Sequence, residues 1–175
     1  SFGLFNNYAW NELLSGYHRK RIISLFNPEV DHMGVGYQLF QSKVAIGSGG
    51  LFGKGLGEGT QSYLRFLPIK DSDFILSVIS EEMGLLSILL IVGLFFCFIY
   101  YTLDASSRLF NKFYSLCLVG FSSIIFFHMI INMSMVIGIF PVIGLPLPFI
   151  SYGGTFILTC LIIVGIINNI INNDL

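Results

Sequence analysis

Charged residues and cysteines are both scarce in this sequence. Only 11% of its 175 residues are charged, and the 9 Lys and Arg nearly balance the 10 Asp and Glu. Such a chain has no bulk positive field, so no nucleic-acid partner is expected. The 3 cysteines lie apart from one another within apolar runs, which excludes a disulfide framework and a cysteine metal site. Cys97, Cys117 and Cys160 are predicted to be ordinary small apolar residues.

Apolar residues are abundant instead. Hydrophobic residues make up 54% of the chain, and 18 of them are Phe. Three stretches are long enough to cross a bilayer, because about 30 Å of hydrocarbon requires roughly 20 helical residues. We therefore predict an all-α polytopic membrane protein with transmembrane helices at residues 74–103, 113–140 and 149–167. The chain begins with Ser1 and none of these stretches resembles a signal peptide, so we expect a carboxy-terminal fragment or processed piece of a longer protein.

The remaining segments are polar enough to lie outside the bilayer. Residues 1–73 are predicted to form the end of a preceding helix and a large loop, 104–112 and 141–148 two links, and 168–175 a tail. The first link carries Arg108 and Lys112, and basic residues in short loops favour the cytoplasm. The large loop exceeds the length of about 60 residues to which that rule applies. We therefore expect this link and the tail to be cytoplasmic, and the large loop and the Pro-rich second link to be extracytoplasmic.

The stretch "AIGSGGLFGKGLGEGT", residues 45–60, is rich in glycine. It does not match a P-loop, because Ser48 stands where the first Gly is required and Gly55 follows Lys54 in place of Ser or Thr. The dinucleotide-binding fingerprint also fails, because Phe52 occupies the position of its third Gly. Two interpretations remain. The loop is either one whose glycines permit tight turns and close packing, or one that bends around a bulky anionic ligand at the membrane surface.

The first predicted span carries small and polar residues on one face. Helical periodicity of about 100° per residue brings five of them within about 40° of one line. They are Asp73, Ser77, Ser80, Gly84 and Ser87. Such a stripe of small residues is typical of close helix packing in lipid. By itself, Asp73 has the position of a residue in the first turn of the helix, where backbone amides favour negative charge.

Two further carboxylates follow inside the span. Glu81 borders the small face, about 80° round from Asp73, whereas Glu82 points to the opposite side. An ionised group at depth costs about 2.5 to 3.5 kcal/mol, so both glutamates should face protein or water rather than lipid. Glu82 is therefore expected to find a partner on the far side of the helix.

The later spans contain two further polar features. His128 and Asn132 are four residues apart and share one helix face, which favours interhelical hydrogen bonding over metal binding because no third ligand is near in sequence. His18 and His32 also lack the spacing of metal ligands. The stretch "PLPFISYGGTF", residues 146–156, combines prolines and glycines at the mouth of the third span. Irregular backbone there is expected to line a cavity or a re-entrant turn.

Several motifs, in a fixed order, carry a specific resemblance. They are "NPEVDHMGVGYQLFQSKVAIGSGGLFGKGLGEGTQSYLRFLP", "DSDF", "SEEMGLL" and "PVIGLPLPFISYGG". Together they closely resemble the carboxy-terminal half of the SEDS family, named for shape, elongation, division and sporulation. The resemblance covers residues 17–167. The wording "IGSGGLFGKG" is more similar to the elongation branch of the family than to its division branch.

The resemblance implies a polytopic helical enzyme of about ten spans, of which this chain holds the last three and the large extracytoplasmic loop. Members of the family are peptidoglycan glycosyltransferases of the bacterial cytoplasmic (inner) membrane. They polymerise lipid II and work with a class B penicillin-binding protein. The essential loop aspartate of the family matches Asp73. Other conserved loop positions, for which substrate binding is implied, match Arg21, Lys43, Lys54, Thr60, Gln61 and Glu82. Asp71 and Ser72 depart from the basic residue or His and the Thr that the family commonly has there.

The implied reaction joins a sugar hydroxyl to an anomeric carbon and expels a polyprenyl diphosphate. It requires a base, for which Asp73 is the candidate, and positive charge for the leaving diphosphate. Arg21, Lys43 and Lys54, or a bound divalent cation such as Mg²⁺, would provide that charge. An α-linked donor and a β-linked product imply an inverting enzyme. A lipid II flippase and a non-catalytic scaffold for the penicillin-binding protein are the alternative functions.

Overall fold

The structure, a computed structural model, describes residues 35–59 and 73–174. Regular structure within these ranges is entirely helical, which confirms the all-α prediction. The helices are α1 (Val35–Gly49), α2 (Ile75–Arg108), α3 (Lys112–Ile137) and α4 (Gly154–Asp174). By length and composition, α2, α3 and α4 can each cross a membrane. The predicted loop 1–73 therefore contains helix α1, and much of the rest of it lies outside the described residues.

The helix ends differ from the predicted spans. Helix α2 continues to Arg108, so most of the expected link 104–112 is helical. An ion pair between Asp104 and Arg108 one turn later, 2.6 Å between their charged atoms, supports this last turn. Asn111 then caps α3 by accepting a hydrogen bond from the N–H of Phe113. Helix α4 begins at Gly154 rather than at residue 149, because the backbone before it is irregular and Phe149 has φ of 65°.

Helix α1 packs against both α2 and α3. Near its middle, the Ser42 hydroxyl donates a hydrogen bond of 2.9 Å to the Val136 carbonyl at the end of α3. At its carboxy-terminal end, a Cβ on Gly49 would collide with the backbone of Ser80 in α2. Small residues allow this close approach, as they do between helices in lipid.

The predicted small face of the first span is buried. Ser77, Ser80, Gly84 and Ser87 all lie in the interior, which confirms the packing interpretation. The apolar core beside them combines residues from all four helices and the Pro-rich link. Its most buried members include Leu39, Phe74, Leu76, Leu118, Ile125, Met135 and Leu147.

Helix α2 is interrupted at Gly84. This residue has φ of 75° and ψ of −173°, which is incompatible with a helix and unfavourable for any residue with a Cβ. Residues 50–59, which we call the glycine loop, follow α1 and lie against this interruption. The break in α2 and the glycine loop together organise the candidate site.

Candidate functional site

The glycine loop supplies the hydrogen bonds that the broken helix lacks. In a continuous helix the amides of Leu85 and Leu86 would donate to the carbonyls of Glu81 and Glu82. Here those amides donate to Gly50 and Leu51 at 2.9 and 3.3 Å. The two carbonyls accept instead from Lys54 and Gly55, each at 3.0 Å. The exchange therefore pairs the carbonyls of Glu81 and Glu82 and the amides of Leu85 and Leu86, as a continuous helix would have done.

Glycines make this contact possible on both sides. A Cβ on Gly84 would collide with the backbone of Leu51 and Gly53, and a Cβ on Gly53 would collide with the Glu82 carbonyl. Gly53 also has a positive φ, 81°. The glycines of residues 45–59 therefore permit tight turns and close packing, as one of the two interpretations predicts, and binding of an anionic ligand stays a prediction.

The loop brings Lys54 into contact with Glu81. The Lys54 ammonium nitrogen lies 2.8 Å from a carboxylate oxygen of Glu81, whose side chain is 0% exposed, whereas that of Lys54 is 30% exposed. A buried carboxylate is tolerated only when a charge or hydrogen bonds compensate it, so this pair explains how Glu81 is accommodated. The prediction that Glu81 would face protein is confirmed.

Glu82 differs from its neighbour. It is only half-buried, and its backbone carbonyl, rather than its carboxylate, makes the contact with the glycine loop. The substrate-binding role of Glu82 stays a prediction, and the paired, fully buried carboxylate is that of Glu81. Sequence reasoning missed the pair because Lys54 and Glu81 are 27 residues apart and no local spacing connects them.

Asp73 lies just before α2 rather than in its first turn. The helix begins at Ile75, after Phe74, and its first turn contains no acidic residue. The expected helix-start position is therefore wrong, because the backbone at Asp73 is still in a turn. The Asp73 side chain is half-buried and approaches the Pro-rich link, where a Cβ on Gly144 would lie 3.1 Å from its carboxylate oxygen.

Asn132 holds this region together. Its side-chain amide donates to the carbonyl of Asp73 at 3.1 Å and to that of Leu145 at 2.7 Å, and the residue is fully buried. The bonds reach the turn before α2 and the Pro-rich link, so they join backbone segments rather than the side chains of two helices. Asn132 therefore fixes Asp73 and the link against α3.

The side chain of Lys43, which belongs to α1, lies against the carboxy-terminal end of α3. Its side chain covers Gly138, the left-handed residue that ends this helix, closely enough that a Cβ there would collide with it. Lys43 is exposed on α1, and a cation at this end of a helix is favoured by the helix dipole. Lys43 and Asp73 thus lie beside one short segment, at Gly138 and Gly144 respectively. Arg21, Thr60 and Gln61 lie outside the described residues.

The two polar residues of α3, His128 and Asn132, have different surroundings. His128 stacks on Phe156 of α4, with ring centroids 5.2 Å apart. The buried Nδ1 of His128 and Oδ1 of Asn132 have no hydrogen-bond partner among the described protein atoms. Within residues 35–59 and 73–174, no three His, Cys, Asp or Glu side chains converge in a way that could hold a metal ion.

The irregular stretch before α4 borders a cavity of about 450 Å³. Phe149 and Ile150 line it together with residues of α2 and α4, and every lining residue is apolar. The cavity is therefore suited to hydrocarbon rather than to a charged head group.

The charged groups lie at two levels along α2. The 21 residues 83–103 carry no charge. At 1.5 Å per residue they span about 31 Å, the thickness of a bilayer core. Glu81, and with it Lys54, lies just beyond one end of this run. Ile75 lies about 9 Å further out along the helix, with Asp73 beyond it. A bilayer core matched to this run would place the ion pair at the membrane surface and Asp73 outside it.

The chain is similar to known proteins over nearly its whole length. The pattern of the FtsW, RodA and SpoVE family, described as cell cycle proteins, matches residues 4–174. The chain is 43% identical over 161 residues to peptidoglycan glycosyltransferase MrdB of Escherichia coli (strain K12), covering 92% of this chain and 44% of that protein. It is 44% identical over 156 residues to a probable peptidoglycan glycosyltransferase FtsW of Trichlorobacter lovleyi, covering 89% of this chain and 41% of that protein.

The fold is also shared with a solved structure. One chain of a peptidoglycan synthase complex, whose study concerns the coordination of polymerization and crosslinking, matches with a TM-score of 0.75 at 24% identity. The match covers 99% of this chain and 47% of that one, so the chain spans about half the length of its relatives, or less. By its sequence pattern and its three apolar helices, the chain belongs to the FtsW, RodA and SpoVE (SEDS) family and is a multi-pass protein of the bacterial inner membrane.

Proposed function

We propose that the full-length protein is a peptidoglycan glycosyltransferase that polymerises lipid II into glycan strands, and that this chain is its carboxy-terminal part. The names of relatives at 43 and 44% identity support the glycosyltransferase class. A role in cell elongation and rod-shape maintenance is the finer proposal, supported by the "IGSGGLFGKG" wording. Relatives named MrdB and FtsW are about equally similar to this chain, so only the motif "IGSGGLFGKG" supports a role in elongation over one in division.

In the proposed reaction, Asp73 is the general base. It would accept the proton of the acceptor sugar hydroxyl as the oxygen attacks the anomeric carbon of the donor and the carbon–oxygen bond to the diphosphate breaks. One direct displacement of this kind inverts the configuration at the anomeric carbon. The observation that carries the assignment is the position of Asp73, half-buried above the charge-free run of α2 with its backbone held by Asn132. A lipid-linked substrate would present its sugars at that level.

The departing diphosphate requires positive charge, which we assign to the loop cations. Lys54 is paired with Glu81 just beyond the charge-free run of α2, the level proposed for the diphosphate of a lipid-linked sugar, and Lys43 lies beside the same link as Asp73. Arg21 is proposed from the resemblance alone. A divalent cation such as Mg²⁺ stays a prediction: within residues 35–59 and 73–174, no three His, Cys, Asp or Glu side chains lie together in a group that could hold one.

A class B penicillin-binding protein is the proposed partner. The chain with the same fold belongs to a peptidoglycan synthase complex, and its study concerns both polymerization and crosslinking. Crosslinking would then be supplied by the second protein, and polymerisation by the protein that carries this chain.

The test is polymerisation of lipid II by the purified full-length protein in detergent. We expect polymer from the parent protein and none above background from Asp73→Asn, with an unchanged thermal midpoint. Detergent micelles have no bilayer across which lipid II could be transported, so polymer formation would require polymerase activity. It would therefore exclude both a flippase without that activity and a non-catalytic scaffold. Near-normal polymer from Asp73→Asn would contradict the assignment of the base.

A further inference from the structure

Glu81 is the only charged side chain among the buried residues of the described part, and the proposed reaction does not use it. We propose that Glu81 is a positioning residue: together with the break in α2, it fixes the ammonium of Lys54 for the diphosphate of the lipid-linked substrate. This inference rests on the proposed function, because it assigns a ligand to a cation of the same site.

Glu81 holds Lys54 at both ends. Its backbone carbonyl accepts the Lys54 N–H at 3.0 Å, and its carboxylate accepts the Lys54 ammonium at 2.8 Å. A lysine side chain has four rotatable bonds and loses much conformational freedom when it binds a ligand. Anchoring both ends to one residue removes that freedom during folding, so little of the ordering cost remains for the binding step.

The hydrogen bond from the Lys54 N–H to the Glu81 carbonyl is possible only because α2 is broken. In a continuous helix the Glu81 carbonyl would accept from Leu85 and would be unavailable to the loop. The positive φ of Gly84 turns the Leu85 amide towards the Gly50 carbonyl instead, and the Glu81 carbonyl is left to Lys54. The break therefore serves the placement of Lys54 and is not merely a packing irregularity.

The burial of the Glu81 carboxylate and the position of the ion pair along α2 together indicate the ligand of Lys54. The carboxylate is 0% exposed, so it cannot itself meet a substrate, whereas 30% of the Lys54 side chain remains accessible. The pair lies just beyond the charge-free run of α2, where the head groups of lipids begin. An anion attached directly to a hydrocarbon chain, such as a polyprenyl diphosphate, presents its charge at that level.

The test measures binding of polyprenyl diphosphate to the full-length protein without turnover, alongside kcat and KM for lipid II polymerisation. Glu81→Gln keeps the size of the side chain and removes its charge. We expect it to weaken polyprenyl diphosphate binding roughly tenfold and to lower kcat, as Lys54→Met does, because a charge-assisted contact is lost.

The double variant, Glu81→Gln with Lys54→Met, should bind polyprenyl diphosphate no more weakly than Lys54→Met alone, since both changes act through one ammonium. Glu58→Gln, an exposed glutamate of the same loop, is the matched control and should leave both quantities unchanged.

A second variant separates positioning from stability. The exchange Lys54→Glu with Glu81→Lys keeps an ion pair but places the negative charge on the loop. If Glu81→Gln fails to fold, the exchange should recover the thermal midpoint while polyprenyl diphosphate binding stays lost. Recovery of both would show that the pair is only structural and would overturn the proposal.

The two proposals fail in different ways. Unchanged polyprenyl diphosphate affinity in Glu81→Gln, with reduced affinity in Lys54→Met, would overturn the role of Glu81 and leave the glycosyltransferase assignment intact. Absence of polymer from the parent protein would contradict the proposed function, and binding of polyprenyl diphosphate would then still report on Glu81.

Discussion

The side-chain amide of Asn132 binds the backbone of Asp73, 3.1 Å from its carbonyl oxygen, and the same amide binds Leu145 at 2.7 Å. Because both donors are used on carbonyls, the orientation of the amide is fixed. We expect Asn132→Leu, which has a similar volume, to remove both hydrogen bonds and to lower the free energy of unfolding by about 1 to 3 kcal/mol.

Thermal unfolding in detergent measures this effect. Asn169→Leu, at an exposed position of α4, is the control and should change stability by less than about 0.5 kcal/mol. Equal midpoints for the two variants would mean that the Asn132 bonds contribute nothing to the fold.

The break in α2 predicts a contrast between two glycines of one helix. Gly84→Ala would force a Cβ into the backbone of Leu51 and Gly53 at a positive φ, and we expect a loss of at least about 2 kcal/mol. Gly93→Ala meets nothing within 4 Å and should be neutral or stabilising by up to about 1 kcal/mol. Chemical or thermal unfolding of both variants checks this, and a Gly84→Ala protein as stable as Gly93→Ala would show that α2 is continuous.

Gly144 predicts an effect on rate rather than on fold alone. A Cβ at this position would lie 3.1 Å from the Asp73 carboxylate, at a φ of 81°. The carboxylate would have to move by a few tenths of an ångström. Since displacing a catalytic group by about 1 Å can cost about 100-fold in rate, we expect Gly144→Ala to reduce kcat for lipid II polymerisation by roughly threefold to tenfold. Gly154→Ala, where a Cβ meets nothing within 4 Å, serves as the reference. Equal kcat values in the two variants would remove Gly144 from the surroundings of the base.

Lys43 and Lys112 lie at opposite ends of α3, which allows a test of the helix dipole. Lys43 covers the carboxy-terminal Gly138, and Lys112 is the first residue of the helix. Lys43→Met should lower stability by about 0.3 to 1 kcal/mol, and Lys112→Met should be neutral or slightly stabilising. The difference should shrink as salt is added. A loss of polymerisation in Lys43→Met much larger than its loss of stability would favour a direct contact with substrate.

Composition and helical periodicity predicted the three spans, the all-α fold and the small face of the first span, because these depend on local sequence. They did not predict the break at Gly84. A glycine on a packed helix face gives the same sequence pattern whether its φ is negative or positive. The positive φ of Gly84 depends on its contact with the glycine loop, which is distant in sequence. The Lys54–Glu81 pair was missed for a related reason. It joins segments far apart in sequence, and helical periodicity could place Glu81 at the edge of a face but could not provide its partner.

The shared hydrogen bonds between the glycine loop and α2 also affect how this protein can be recombined with its relatives. Residues 50–55 and 81–86 complete each other's backbone pairing, so neither segment has its partners without the other. A crossover placed between them would join a loop from one parent to a helix from another, with the glycines of the contact no longer matched. Crossovers before residue 45 or after residue 87 would keep the pair intact. The two segments are therefore expected to be inherited as one block.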